Sequence, residues 1–312
     1  MANASGKPAL DRQTLHEQLV DSMTSLFGEH PGYRPNHAKG IVCEGIFRPA
    51  PSAASLTRAA HMQGSAVPVI VRFSDSTGIP TIPDGDPSAS PRGMAIRFHL
   101  REGTTTDLVA HSYDGFPVRT AEEFLDFLRA RAGGSSDPGL LDSFLAGHPH
   151  AQAFLAAPKP IPRSFATTPY YAVNAFRFTN RSGTSRFGRY RILPVAREAY
   201  LEPSEAAQMP DGFLFDEIRS RLARNPIAFR LTVQLAADGD PVDDATARWP
   251  EDRPRMELGT LTVTKRAIDS DAVERALAFD PARLIDGVEP SGDPLIAVRS
   301  AVYAVSAQRR SG

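Results

Sequence analysis

Prolines set the scale of structure open to this chain. Twenty-seven of them fall among 312 residues, scattered through the middle and C-terminal half. Each fixes φ and removes a backbone donor, so a helix does not run through one. The chain is therefore broken into short elements. Residues 38–48, 66–73 and 94–100 carry strand patterns, the last with clear apolar–polar alternation, and strand signals return at 170–179, 190–195, 228–235 and 258–264. Between two of them TGIPTIPDGDPSASPRG is a loop dense in turn signals. Helical periodicity is confined to a few windows. Residues 12–27 put Leu15, Leu19, Val20, Met23, Leu26 and Phe27 on one face. A second helix follows Arg119, with Thr120 as N-cap, Glu123 as its capping-box partner, and Phe124, Leu125 and Leu128 on the buried side. Further helices are predicted at 203–208, 213–224 and 293–309. The strands do not alternate with helices as in a doubly wound fold, and no repeat or low-complexity linker divides the chain. A single α+β domain around a large antiparallel sheet, closed into a barrel, is the simplest architecture.

Charge and cysteine content remove several function classes. The 35 basic and 36 acidic residues nearly cancel, leaving no electrostatic footprint for nucleic acid or an anionic membrane surface. A single cysteine, Cys43, rules out an intrachain disulfide framework and any cysteine-rich zinc or iron–sulfur site, so a metal would need other ligands. No apolar run of signal-peptide or membrane-span length is present, and a cytoplasmic location is expected.

The densest chemistry sits in the C-terminal helix. Arg299, Tyr303 and Arg310 are offset by four and seven residues, which at about 100° per residue brings all three within roughly 40° of one stripe. A guanidinium one turn from a phenol lowers the cost of ionising it, and an ionised tyrosine is an uncommon, strong ligand for ferric haem iron. A surface helix with solvated arginines would show the same spacing, so the stripe needs support from elsewhere. His37 lies just before a predicted strand, three residues after Arg34. In VIVRFSDS the strand period places Arg72 and Ser74 on one face. A serine hydroxyl there can fix a histidine tautomer, and an arginine on the same wall can meet a carboxylate.

Seven segments, RPNHAKG at 34–40, PVIVRFSDS at 68–76, SPRGMAIRF at 90–98, DLVAHSYDGFPVRTAEEF at 107–124, MELGTLTV at 256–263, ALAFDPARLIDGVEPS at 276–291 and RSAVY at 299–303, run in one order. Together they resemble the haem catalase superfamily, most closely its small members, the catalase-related peroxidases. The resemblance covers most of the chain. It implies one domain over residues 1–312, an antiparallel eight-stranded β-barrel with packed helices. Residues 1–30 would form an N-terminal helical arm and 293–310 the proximal helix, with haem b enclosed between barrel and helix.

By this resemblance His37 is the distal histidine, moving a proton between the oxygens of a bound peroxide to leave compound I, and Ser74 is its hydroxyl partner. Tyr303 is the proximal iron ligand, Arg299 the arginine that keeps it ionised, and Asp293 the acid extending that relay or, more simply, a helix N-cap. Arg34, Arg72 and Arg310 grip the propionates. Phe116 and Phe124 belong to the distal pocket, Phe124 against the porphyrin. Some positions depart from the family. His111 stands where full-length catalases carry a distal asparagine, and a neutral imidazole donates from one nitrogen only. Asn36 makes the distal side more polar, while Asn174 and Ala307 replace family histidines, so the contacts of those two are not expected to carry over. The implied activity is peroxidatic reduction of hydrogen peroxide or organic hydroperoxides, with a small organic reductant as partner and only weak catalase activity. A true small catalase, a hydroperoxide-rearranging enzyme resembling allene oxide synthase, and a non-catalytic haem-binding or haem-sensing protein remain alternatives. A homodimer is the assembly left open, with no nucleic acid or membrane partner.

Overall fold

The computed structural model describes residues 13–311, so the first twelve residues of the expected arm lie outside the described residues. The strands are β1 (Gly40–Pro49), β2 (Val67–Ser74), β3 (Gly93–His99), β4 (Thr105–His111), β5 (Tyr170–Tyr171), β6 (Phe176–Thr179), β7 (Ser185–Pro194), β8 (Ile227–Leu235), β9 (Arg255–Arg266) and β10 (Val288–Pro290). Consecutive antiparallel pairing runs from β1 to β5, passes to β7, β8 and β9, and returns from β9 to β1. Among the described residues this is a closed eight-stranded barrel, and β6 and β10 extend it from one edge of β7. Closure leaves the barrel strands without free edges.

Alternation fills the barrel. Ile41, Cys43 and Phe47 of β1, Val69, Val71 and Phe73 of β2, and Met94, Ile96 and Phe98 of β3 all join one buried core. Cys43 belongs to this core, and burial pushes its thiol up to about 12, consistent with packing rather than reactivity. The opposite face of the same strands is not solvated. Val42 packs outside with Ala267, Leu277 and Phe279, alongside Ile70, Ala95 and Val109.

The helices are α1 (Leu15–Phe27), α2 (Ala53–Leu56), α3 (Ala121–Gly133), α4 (Pro138–Gly147), α5 (Pro149–Ala156), α6 (Pro203–Ala206), α7 (Phe213–Arg224), α8 (Ser270–Ala276) and α9 (Pro294–Ser311). Thr120 and Glu123 form the predicted capping box of α3, the Glu123 amide donating to Thr120 Oγ1 at 3.2 Å. An equivalent box, Thr14 with Glu17, starts α1. Leu19, Val20 and Met23 of α1 pack with Leu125 and Leu128 of α3 and Val302 of α9. That apolar contact holds α9 across the outer wall of the barrel; each buried leucine contributes on the order of 2 kcal/mol. No helix among the described residues is long and apolar enough to cross a membrane.

Two differences from the sequence reading have local causes. The strand expected over 170–179 is two strands, because Asn174 leaves the ladder between them and turns its buried amide to Asp293. The helices α2, α4, α5 and α8 and the strands β4 and β10 are additional. In α4 and α5 the apolar residues are mostly half-exposed, so no sharp helical stripe marks them.

Candidate active site on the outer wall of the barrel

Register builds one wall of the site. Gly40 pairs with Ser74, Ser74 with Gly93, and Gly93 with His111, so a single row crosses β1 to β4. The neighbouring row on the same face is Val42, Arg72, Ala95 and Val109. Directly paired residues point to the same side of a sheet. The expected residues Arg72, Ser74 and His111 therefore share one face, and glycine and alanine beside them leave room above it. A Cβ on Gly93 would stand 2.4 Å from Ser74 Oγ and 2.8 Å from His37 Nδ1; one on Gly40 would meet the Arg72 guanidinium at 2.2 Å.

The opposite wall is α9. Arg299, Val302, Tyr303, Ser306 and Arg310 face the barrel across a cleft, which Met23 of α1, residues 34–37 and Ala278 with Phe279 close at the sides. His37, Arg34, Arg72, Ser74, His111, Arg299, Tyr303 and Arg310 all line it. Phe116 and Phe124 do not: their ring centroids lie 5.3 Å apart, and they pack both with α3 and against residues of α9. Phe124 also packs against the apolar cluster of α1, α3 and α9 that Tyr303 borders.

His37 has a left-handed backbone, φ 56°, which is uncommon for a residue with a side chain and is held by its surroundings. Asn36 Oδ1 accepts from the His37 amide at 3.0 Å, and Arg72 Nη2 donates to the His37 carbonyl at 2.8 Å. The ring nitrogen Nδ1 lies 2.9 Å from the carbonyl oxygen of Asp75 and 3.1 Å from Ser74 Oγ. A carbonyl oxygen only accepts, so Nδ1 carries the proton and Nε2 the lone pair. The tautomer is fixed by a main-chain oxygen as well as by the expected serine. Asp75 is itself anchored by an ion pair with fully buried Arg92, while burial holds its carboxyl above the usual carboxylate range.

His111 has the complementary tautomer. The Tyr113 amide donates to His111 Nδ1 at 3.4 Å, so its proton sits on Nε2. Burial, reinforced by Arg72, lowers His37 to about 4; burial, then Arg299 and His37, lowers His111 to about 3. Both rings are neutral near pH 7, one offering an acceptor and the other a donor.

On α9, Arg299 Nη2 donates to Tyr303 Oη at 3.2 Å and Nη1 to Asn174 Oδ1 at 2.6 Å. Asn174 Nδ2 donates in turn to Asp293 Oδ2 at 2.8 Å. Whatever contacts the family histidine makes, Asn174 has its own, since its amide offers both a donor and an acceptor and bridges acid and arginine. Asp293 combines both readings offered for it, since its other oxygen accepts from the Leu295 amide at 2.9 Å.

At one end of the cleft Arg34, Arg72 and Arg310 gather. Burial and mutual repulsion hold Arg34 well below the usual guanidinium range, and Arg310 Nε is buried with no hydrogen-bond partner. Such a cluster calls for further negative charge. No group of three or more His, Cys, Asp or Glu side chains among the described residues could hold a bare metal ion. The donor set is instead one phenol with an arginine on it, an imidazole opposite, apolar side walls and cations at one edge. Those residues fit an iron porphyrin with two carboxylates.

A barrel with a cleft on its outer wall, bounded by a tyrosine and a fixed imidazole, defines the class. The chain matches the family described as catalase over residues 6–312, and it belongs to the catalase family. It is 37% identical over 299 residues to a catalase-related peroxidase of Mycolicibacterium paratuberculosis, covering 95% of each chain. Identity to a catalase-related peroxidase of Synechococcus elongatus is 31% over 302 residues, covering 95% of this chain and 88% of the relative. With the catalase of Soldanella alpina it is 29% over 319 residues, covering 94% of this chain but only 63% of the longer relative. The solved structure of catalase A from Saccharomyces cerevisiae superposes with a TM-score of 0.81 at 20% identity, covering 100% of this chain and 68% of that one.

The residues that sequence reasoning missed act through the backbone or through charge: Gly93, the Asp75 carbonyl and Glu274, which pairs with Arg34 and Arg72. Only Gly93 had a signal, as the glycine just before a predicted strand.

Proposed function

We propose that this peroxide-acting oxidoreductase is a haem b-dependent peroxidase that reduces hydrogen peroxide or organic hydroperoxides at the expense of a small organic reductant. The observation that carries the reading is the set of polar side chains around one cleft: a lone-pair imidazole, a donor imidazole, an arginine-bound phenol and three clustered arginines. Tyr303 would hold the iron, and Arg34, Arg72 and Arg310 the carboxylates. When bound, haem supplies the redox chemistry that splits the peroxide bond.

The chain's own residues handle the proton. His37 Nε2, free because Nδ1 is tied to Asp75 and Ser74, takes a proton from the hydroperoxide O–H and returns it to the departing oxygen. His111 Nε2–H donates a hydrogen bond that orients the substrate. A neutral imidazole gives one such bond where an asparagine amide has two N–H groups, which supports weak dismutation. Arg299 fixes Tyr303 Oη, and the Asn174–Asp293 pair fixes Arg299.

The test is steady-state turnover with peroxide and an aromatic donor, set against oxygen release without the donor. Donor oxidation outpacing oxygen release, with both abolished in His37→Ala while haem is retained, is the expected result. Rapid oxygen release would make the protein a small catalase, and full activity in His37→Ala would remove the proton-handling assignment.

A further inference from the structure

Glu274 is the one carboxylate that pairs with the arginine cluster among the described residues. It lies on α8, packed against β1 and α9. Its Oε1 accepts from Arg34 Nη1 at 3.2 Å and from Arg72 Nε at 3.1 Å, as well as from Arg72 Nη2. The Glu274 and Leu277 carbonyls take Arg34 Nη2 at 3.1 and 2.7 Å. Arg310 has no carboxylate: Nη1 donates to Ser306 Oγ at 3.0 Å, Nη2 reaches the Leu277 carbonyl at 3.5 Å, and Nε is unpartnered. Three cations and one anion leave this end of the cleft with two uncompensated positive charges, the charge of a porphyrin edge bearing two carboxylates.

We propose that Glu274 tunes the affinity and charge selectivity of the cleft, setting its cationic end to match a dicarboxylate porphyrin while competing with that ligand for Arg34 and Arg72. This rests on reading the cleft as a haem site. The competition is direct. An incoming carboxylate shares guanidiniums whose N–H groups Oε1 already holds, and it feels a like charge only one guanidinium away. Arg310 is free of that competition and gives the first carboxylate its contact. The benefit to the protein is stability, because three buried cations without Glu274 repel one another.

The experiment is haem loss from the holoenzyme to an excess of an apo-globin scavenger, followed by absorbance. In Glu274→Gln the competing charge is gone, and haem loss is expected to slow by at least about tenfold, with the band positions unchanged because Tyr303 is untouched. Ser306→Asp places a second carboxylate beside Arg310 and is expected to speed loss by about the same factor. An unchanged or faster rate in Glu274→Gln overturns the proposal. If that variant does not fold, an unchanged or slower rate in Ser306→Asp overturns it instead. A wild-type protein that carries no haem after expression with haem supplied defeats the haem reading itself, which is a different result from equal rates.

Discussion

One added methyl group at Gly93 should disable the site without removing its cofactor. Alanine is compatible with the strand backbone there, so the effect comes from contact alone. The new Cβ would lie 2.4 Å from Ser74 Oγ, 2.8 Å from His37 Nδ1 and 3.0 Å from its Cε1. Comfortable carbon contacts are about 3.5 Å or more, so the hydroxyl must retreat by about 1 Å and the imidazole by somewhat less. Neither move is free. Rotating Ser74 breaks its 3.1 Å contact with Nδ1, and shifting the ring strains the 2.9 Å bond to the Asp75 carbonyl. A displacement near 1 Å at a catalytic group costs about 10²-fold in rate, while overpacking costs stability of about 1–3 kcal/mol. The assay is kcat/KM for peroxide with an aromatic donor, alongside the haem absorption spectrum and a urea midpoint. Gly93→Ala is expected to keep its haem bands, melt modestly earlier and lose about two orders of magnitude in kcat/KM. Haem-replete Gly93→Ala with wild-type kcat/KM would refute the claim that His37 works only when held by Ser74 and Asp75.

Two further expectations follow from groups away from the distal wall. Asn174→Leu leaves Asp293 Oδ2 and Arg299 Nη1 without their buried partner, so it should cost about 3 kcal/mol of stability; a midpoint equal to wild type would deny the bridge. His61 is buried between Phe47 and Phe98 with Nδ1 unpartnered, and burial lowers it to about 4 from an ordinary 6.5. Its folded pKa is the lower one, so its contribution is intact above pH 6.5 and lost as pH falls toward 4. The loss is about 1.4 kcal/mol per pH step. His61→Phe should therefore narrow the stability gap between pH 7 and pH 4.5 by about 2–3 kcal/mol, and an unchanged gap in denaturant titrations would count against it.

Local signals carried far in this chain. Helix α7 begins and ends where its periodicity does, and the Thr120–Glu123 box and the period-two placement of Arg72 with Ser74 follow from geometry that needs no tertiary partner. The stripe of Arg299, Tyr303 and Arg310 was equally readable, since helix phase alone aligns it. What stayed hidden depends on register and on main-chain atoms. No sequence pattern announces that Gly93 lies opposite both Ser74 and His111, or that a carbonyl at position 75 sets a histidine tautomer. The bridge that Asn174 makes was not legible, because its residue type was visible but not its distance to Asp293. Phe124 was legible as a buried position of its own helix, and it packs there between the α3 core and the cluster that Tyr303 borders.

The central claim is that Tyr303 opposes His37 across a haem-holding cleft. Its most direct test is the absorption spectrum of the protein purified after expression with haem supplied, compared with Tyr303→Ala. The account predicts a high-spin ferric spectrum of tyrosinate type in the wild type and its loss in the variant. A colourless wild type, or the same spectrum with Tyr303 removed, would contradict it.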